Sequence, residues 1–212
     1  MQSRSATTKR YAGPPSLPRF GSLATILRQI PAGGDVLDVG CAEGYLAAHL
    51  PGNRVWGLDG NPTAIARARV FCAEAAIVDL NDLPATPLFR REFGTVVLAD
   101  VLEHLVDPEA TLRHFKEYIG KSGRVIVSLP NVALWRCRLN LLFGRFDYQD
   151  YGVLDRTHLH LYTFKTALEL LRAAGYRPLR VQGAANLLGP VAAHVQPLRN
   201  LASIHIIITA AP

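Results

Sequence analysis

The chain has 212 residues, of which 49% are hydrophobic and 19% are charged, a balance typical of a globular domain and not of a disordered chain. No apolar run approaches the roughly 18 residues that a membrane-spanning helix needs, and the polar segment 1–13 does not resemble a secretory signal. The net charge of +6 permits an acidic partner, but no run of five basic residues occurs, so nucleic-acid binding is not indicated.

The domain organisation predicted from the sequence is simple. We expect residues 1–18 to form a flexible basic arm and residues 19–212 to form a single domain. The three cysteines, Cys41, Cys72 and Cys137, are odd in number and widely spaced. This usage is typical of reduced thiols, so we expect a cytoplasmic location.

Strand and helix patterns alternate along most of the chain. A helical pattern in residues 19–30 ends at Pro31, and short apolar runs then alternate with further helical patterns. Such alternation is typical of a parallel sheet with helical crossovers. The predicted strands are Asp35–Val39, Arg54–Asp59, Ala76–Leu80, Gly94–Ala99, Arg124–Leu129, Pro178–Gln182 and Ser203–Ala210.

Proline and glycine mark the expected helix boundaries. The pairs Asn61–Pro62 and Asp107–Pro108 predict the first turns of two helices, and Gly120 and Gly175 predict helix ends. The connector 183–202 shows no helical pattern, which favours an antiparallel pair of closing strands.

The segment Val36–Gly44 carries the most informative pattern. Its apolar run ends at Asp38 and is followed by a loop of small residues, and the next apolar run, Val55–Leu58, ends in Asp59. Loops of this kind lie at the carboxyl ends of parallel strands and bring backbone N–H groups close to a nucleotide, while the second carboxylate accepts ribose hydroxyls. The third glycine of the dinucleotide pattern G-x-G-x-x-G is not present, which disfavours a nicotinamide oxidoreductase.

This segment resembles motif I of the class I S-adenosylmethionine-dependent methyltransferases, D-x-G-x-G-x-G, with Ala42 in place of the middle glycine. The resemblance covers roughly residues 20–211. It implies a Rossmann-like, doubly wound α/β sheet of seven strands in the order 3-2-1-4-5-7-6, with the last strand antiparallel. It also implies S-adenosylmethionine as the cofactor. We expect the methyl group of Ala42 to weaken cofactor affinity at most.

The resemblance also implies which residues contact the cofactor. Asp38 and the glycine loop would hold the methionine end, and Asp59 would accept the ribose hydroxyls. Asp79 would accept from the adenine amino group, and Asp100 with the Ala99 carbonyl would lie near the methionine ammonium. Each pairing joins an acceptor to a donor. The full implied set is Asp38, Gly40, Cys41, Ala42, Gly44, Asp59, Gly60, Asp79, Leu80, Ala99 and Asp100.

The run from Asp100 to His104 resembles the D/E-x-x-E-H segment of several small-molecule O-methyltransferases, including those of ubiquinone biosynthesis. Three interpretations stay open. His104 is a general base, or Asp100, Glu103 and His104 bind a divalent metal, or Glu103 and His104 orient the following helix. One histidine with one glutamate makes a poor metal cage, so we expect catalysis to need no metal.

The connection 131–162 is longer than a plain crossover needs, and such insertions commonly form lids. Its aromatic residues and arginines predict either a lid core with a solvated basic face or a cap over an anionic or sugar-linked acceptor. We expect Arg156 and His158 to face the pocket, with Tyr148 or Tyr151 as a wall. His158 is either a catalytic base or a structural residue that ties the lid to the sheet.

These patterns predict methyl transfer from S-adenosylmethionine to a small-molecule acceptor, with oxygen as the expected acceptor atom. The sequence after the fourth strand, Ala-Asp-Val-Leu, differs from the Asn/Asp-Pro-Pro-Tyr motif of enzymes that methylate the adenine amino group. An alternative is a non-catalytic protein that binds the cofactor and regulates a partner enzyme, because the chain also resembles methyltransferase-like proteins of methionine biosynthesis. No membrane partner is expected, and no pattern specifies an oligomeric state.

Overall fold

The computed structural model describes residues 17, 19–83, 89–185, 195 and 198–212. The predicted basic arm therefore lies almost wholly outside the described residues. In the described part of the chain, seven strands form one sheet of order β3-β2-β1-β4-β5-β7-β6, which confirms the predicted fold. The strands are β1 Asp35–Val39, β2 Arg54–Asp59, β3 Glu74–Ile77, β4 Phe93–Ala99, β5 Ile119–Pro130, β6 Arg177–Ala184 and β7 His205–Ala211.

Strands β1 to β5 pair in parallel, and β7 pairs antiparallel with both β5 and β6. Over the same described ranges, no helix is both long enough and apolar enough to cross a membrane. The helices are α1 Ser22–Leu27, α2 Tyr45–Ala48, α3 Pro62–Ala68, α4 Pro108–Lys116, α5 Trp135–Leu142, α6 Phe164–Ala173 and α7 Arg199–Ala202, with a 3-10 turn at Leu102–His104.

Both predicted helix starts are confirmed by their caps. The Asn61 side chain accepts from the backbone N–H groups of Thr63 and Ala64, and the Asp107 side chain accepts from that of Ala110. In each helix proline occupies the first turn, where a backbone N–H would have no partner within the helix, so the lack of an N–H on proline costs no hydrogen bond.

The two predicted helix ends differ. Gly175 adopts φ +82 after α6, and the N–H groups of Gly175 and Tyr176 donate to the carbonyls of Arg172 and Leu171, which is a glycine-terminated helix end. The prediction for Gly120 is wrong, because α4 ends at Lys116 and Gly120 already belongs to β5.

The connector before β7 also departs from expectation. It contains the four-residue helix α7, Arg199–Ala202, where a connector without helix was predicted. The expected antiparallel pairing of β6 with β7 is nevertheless confirmed.

Hydrophobic layers cover both faces of the sheet. On one face, Leu37 belongs to a cluster that includes Phe115 of α4 and Leu171 of α6. On the other face, Val36 belongs to a cluster that includes Ile26 of α1. Successive residues of a strand point to opposite faces, so each strand contributes side chains to both layers.

Candidate active site

A cleft of about 290 Å³ lies at the carboxyl ends of β1 to β4. It brings together seven residues that the sequence singled out, namely Gly40, Asp59, Gly60, Asp79, Leu80, Asp100 and His104. Four further residues of the lining were not anticipated, namely Val78, Asn81, Val101 and Leu105. These four residues come at the same strand ends, close in sequence to Asp79 or Asp100. That closeness is the signal from which they could have been predicted.

The loop after β1 has a backbone that requires small residues. Gly40 adopts φ +76, and a Cβ there would clash with Cγ2 of Val101, so glycine is required. Ala42 adopts φ +46, a left-handed conformation that is uncommon for residues other than glycine. The N–H groups of Gly40 and Cys41 both donate to the Leu58 carbonyl, so the loop is held in a fixed conformation at the edge of the cleft.

Asp59 holds this loop against the start of α3. Its Oδ2 accepts from the N–H of Ala42 at 2.9 Å, and its Oδ1 accepts from the N–H of Asn61 at 2.8 Å. A carboxylate offers about four lone-pair positions, so each oxygen keeps capacity for a hydroxyl. Asp59 lines the cleft, in keeping with the expected ribose contact, which stays a prediction.

Asp38 is almost fully buried at the end of β1. Burial, with a smaller effect of the Asp59 charge, raises the pKa of Asp38 to about 7. A buried carboxylate is stabilised in its charged form when a cation approaches it. The position therefore suits an ammonium group, although Asp38 is not part of the cleft lining.

Asp100 adopts φ +55 directly after β4. Ser128 Oγ donates to its Oδ1 at 2.6 Å, and His205 Nε2 lies 3.6 Å from its Oδ2. Sequence reasoning missed Ser128 and His205. They reach Asp100 because β5 and β7 follow β4 in the sheet order, which no local spacing indicates.

The third strand ends earlier than expected. We predicted it to reach Leu80, but β3 ends at Ile77. Asp79 instead lies in a turn in which its Oδ1 accepts from the N–H of Asn81 at 2.9 Å. Asn81 Oδ1 accepts in turn from the N–H of Val106 at 2.8 Å, so the turn is fastened to the segment after β4 and keeps Asp79 at the cleft.

A cluster of Glu103, His104 and His158 lies at one end of the cleft. The imidazole rings of His104 and His158 are edge to face, with centroids 4.8 Å apart. His104 lines the cleft, whereas the His158 side chain is 5% exposed and lies 4.0 Å from Glu103 Oε1 through its Nε2. The structure thus places His158 beneath His104, and direct contact of His158 with an acceptor stays a prediction.

The long insertion begins and ends at a bridge between Asn131 and Tyr162. Tyr148 and Tyr151 are 55% and 60% exposed, and Arg156 Nη2 lies 2.8 Å from Asp150 Oδ1. Neither tyrosine nor Arg156 belongs to the cleft lining. Closure of this segment over an acceptor stays a prediction.

Comparison with known proteins identifies the family. Residues 17–181 match the methyltransferase domain family. A ubiquinone biosynthesis O-methyltransferase from Pseudomonas paraeruginosa is 31% identical over 106 residues, which cover 47% of this chain and 46% of that protein. The relative from Pseudomonas syringae pv. tomato is 32% identical over 106 residues, with the same coverage. The match thus spans about half the length of these relatives.

Solved structures share the fold. An S-adenosylmethionine-dependent methyltransferase from Mesorhizobium loti has a TM-score of 0.64 and 16% identity, covering 94% of this chain and 100% of that one. Magnesium protoporphyrin IX methyltransferase from Synechocystis PCC 6803, solved with bound SAH, has a TM-score of 0.62 and 17% identity, covering 89% and 81%. With the glycine loop and the strand-end carboxylates in one cleft, the chain belongs to the methyltransferase domain family, and its cofactor is S-adenosylmethionine.

Proposed function

We propose that this protein transfers the methyl group of S-adenosylmethionine to an oxygen atom of a small molecule. The observation that carries the proposal is the position of His104 at the end of the cofactor cleft, close to Asp100. A side chain that binds or removes a proton is needed there when the acceptor is a hydroxyl group. The similarity to ubiquinone biosynthesis O-methyltransferases supports oxygen as the acceptor atom.

The protein's own contribution to the reaction is to align the cofactor with the acceptor. The sulfonium of the cofactor makes the methyl carbon electrophilic, and that chemistry belongs to the cofactor. Asp59 and the loop after β1 would hold its ribose and methionine parts, with Asp79 at the adenine and Asp100 near the ammonium. Holding the acceptor oxygen in line with the methyl carbon and sulfur supplies much of the rate.

The insertion supplies candidates for acceptor recognition. Arg156, Tyr148 and Tyr151 lie on the one connection that follows β5 at the open edge of the sheet. A guanidinium binds carboxylates and phosphates well, and aromatic faces bind rings. We therefore propose an acceptor with an anionic or sugar-linked group, contacted when the insertion moves toward the cleft.

A radiolabelled methyl donor tests the proposal directly. Purified protein incubated with labelled S-adenosylmethionine and a panel of phenols, catechols and sugar-linked hydroxyl compounds is expected to yield a methyl ether, identified by mass spectrometry and NMR. A methyl group on nitrogen or carbon would contradict the oxygen assignment. Tight S-adenosylhomocysteine binding without turnover on any acceptor would instead support a regulatory cofactor-binding protein.

We also propose that the protein acts in the cytoplasm. Its three cysteines are free thiols, which is compatible with that reducing compartment.

A further inference from the structure

We propose that Glu103, His104 and His158 form a binding site for a divalent transition-metal ion. One potential ligand atom from each of the three residues lies within 4.8 Å of the others. The sequence disfavoured a metal because only one histidine and one glutamate were adjacent. The fold brings a second imidazole to the cluster, that of His158, which lies in the insertion 54 positions after His104. The reason for expecting no metal, a single histidine, therefore no longer applies.

The Glu103 carboxylate is the first argument for the site. The side chain is 1% exposed, and among the described residues neither Oε1 nor Oε2 has a hydrogen-bond partner. Buried polar groups are nearly always hydrogen-bonded, so such a group needs an explanation. Protonation would remove the charge but would leave an O–H donor without an acceptor. A bound cation satisfies both oxygens.

The two imidazoles provide the second argument. His158 Nδ1 lies 3.2 Å from the carbonyl oxygen of Val153, and His104 Nδ1 lies 3.2 Å from that of Thr157. A carbonyl oxygen only accepts, so each Nδ1 carries the hydrogen and each Nε2 keeps its lone pair. Metal-binding histidines are held in this way, with the second ring nitrogen donating to a carbonyl or carboxylate.

The geometry and the donor set indicate the class of metal. Ligand atoms lie about 2.0–2.2 Å from zinc, so two ligands of one ion are at most ~4.4 Å apart. His158 Nε2 and Glu103 Oε1 are 4.0 Å apart, within that limit. The widest pair of the cluster is up to 4.8 Å apart, so the side chains must close by about 0.4 Å around the ion. Two imidazoles with one carboxylate suit Zn²⁺, Mn²⁺ or Fe²⁺ better than Mg²⁺ or Ca²⁺, which prefer oxygen ligands.

Three protein ligands leave a coordination position open, and His104 lies on the cleft. The following step rests on the proposed function, with the ion in place of the free His104 imidazole, because a metal-bound imidazole no longer accepts a proton. An acceptor hydroxyl bound at the open position loses its proton to water more readily, because the cation stabilises the oxyanion. Its oxygen then forms the bond to the methyl carbon, and the carbon–sulfur bond breaks with its electron pair left on sulfur, giving S-adenosylhomocysteine.

Metal binding is measured on the full chain without any acceptor. After treatment with a chelator and its removal, titration with Zn²⁺ by calorimetry is expected to show one site per chain. Titration with Co²⁺ is expected to give visible d–d absorption without a sulfur charge-transfer band, which excludes binding by the cysteines. The variants Glu103→Gln and His158→Ala are expected to weaken binding at least 100-fold, since each removes a ligand.

His49→Ala is the matched control, because this histidine lies at the end of α2, where its Nδ1 contacts the Tyr45 carbonyl, and binding is expected to stay unchanged. If His158→Ala fails to fold, the affinity of Glu103→Gln for Zn²⁺ and the Co²⁺ spectrum of the wild-type chain still test whether the metal site exists. Failure of the wild-type chain to bind Zn²⁺ or Co²⁺, or a Glu103→Gln variant that binds as tightly, would overturn the site. Metal bound without turnover on any acceptor would overturn the proposed function alone, and turnover that survives chelation would overturn the metal's part in the reaction.

Discussion

At the scale of single residues, two carboxylates at or near the cleft have different surroundings. Asp59 is partly exposed and bonded to two backbone N–H groups, whereas Asp38 is buried beside it. Burial makes the Asp38 carboxylate harder to ionise. Substitution therefore probes the hydrogen bonds of Asp59, and a change of pH probes the charge of Asp38.

Substitution of Asp59 tests the ribose contact. Asp59→Ala is expected to weaken S-adenosylhomocysteine binding by ~1–3 kcal/mol, because the ribose hydroxyls and the N–H groups of Ala42 and Asn61 lose their acceptor. Calorimetry measures the dissociation constant. Asp82→Ala, on the exposed turn after β3, is the control and is expected to leave it unchanged. An unaltered dissociation constant in Asp59→Ala would remove Asp59 from the cofactor site.

The pH dependence follows from Asp38. Its pKa is about 7 in the folded chain against a reference value of 3.8, so the folded state holds the proton more tightly. The free energy of unfolding is then expected to fall as pH rises from about 4 to about 7 and to level off above that range. Asp38→Asn is expected to remove this slope in denaturant titrations, and a slope that persists unchanged in the variant would assign it to other groups.

Cofactor affinity is expected to change in the opposite direction. The proposed pairing of Asp38 with the methionine ammonium needs the charged carboxylate, so S-adenosylhomocysteine is expected to bind more tightly as pH rises from about 6 to about 8. Calorimetry across this range measures the effect in wild type and in Asp38→Asn. Equal affinity at both ends of the range in the wild type would show that Asp38 does not pair with the ammonium.

At the scale of elements, the loop between β1 and α2 carries local strain. Ala42 has φ +46, where a Cβ disfavours the conformation by roughly 1–2 kcal/mol. The loop is held there by the bond from its N–H to Asp59. A stable surrounding structure therefore keeps a conformation that the residue alone would avoid.

Ala42→Gly is expected to stabilise the chain by up to about 1 kcal/mol, because relief of the left-handed strain exceeds the extra freedom that glycine gives the unfolded chain. Chemical denaturation measures the change. Ala48→Gly, in α2, is the matched control and is expected to destabilise by roughly 0.5–1 kcal/mol. A lower stability of Ala42→Gly would show that the loop tolerates alanine without strain.

At the scale of the whole molecule, seven strands present four loops at one edge, and the insertion after β5 rises beside them. Arg156 pairs there with Asp150 between largely exposed side chains, and such pairs contribute little to stability. The arginine is therefore able to exchange its partner for an anionic acceptor without loss of folding.

Once an acceptor is identified, Arg156→Ala is expected to raise its KM about tenfold, which corresponds to the loss of one charged hydrogen bond of roughly 1.4 kcal/mol. The dissociation constant of S-adenosylhomocysteine and the thermal midpoint are expected to stay unchanged. Arg113→Ala on α4, which pairs with Glu109, serves as the control. A KM equal to that of wild type would exclude Arg156 from acceptor binding.

The sequence by itself determined the alternation of strands and helices and the helix starts at Asn61 and Asp107, because periodicity and capping are specified by short stretches of chain. The strand order and the cleft residues such as Gly40, Asp59 and Asp100 were implied by the resemblance to the class I methyltransferases. Only the tertiary structure decided that Ser128 and His205 hold Asp100, and that His158 packs on His104 and Glu103. Those contacts join residues 28 to 105 positions apart, and pairing across strands and insertions places them together without any trace in local spacing.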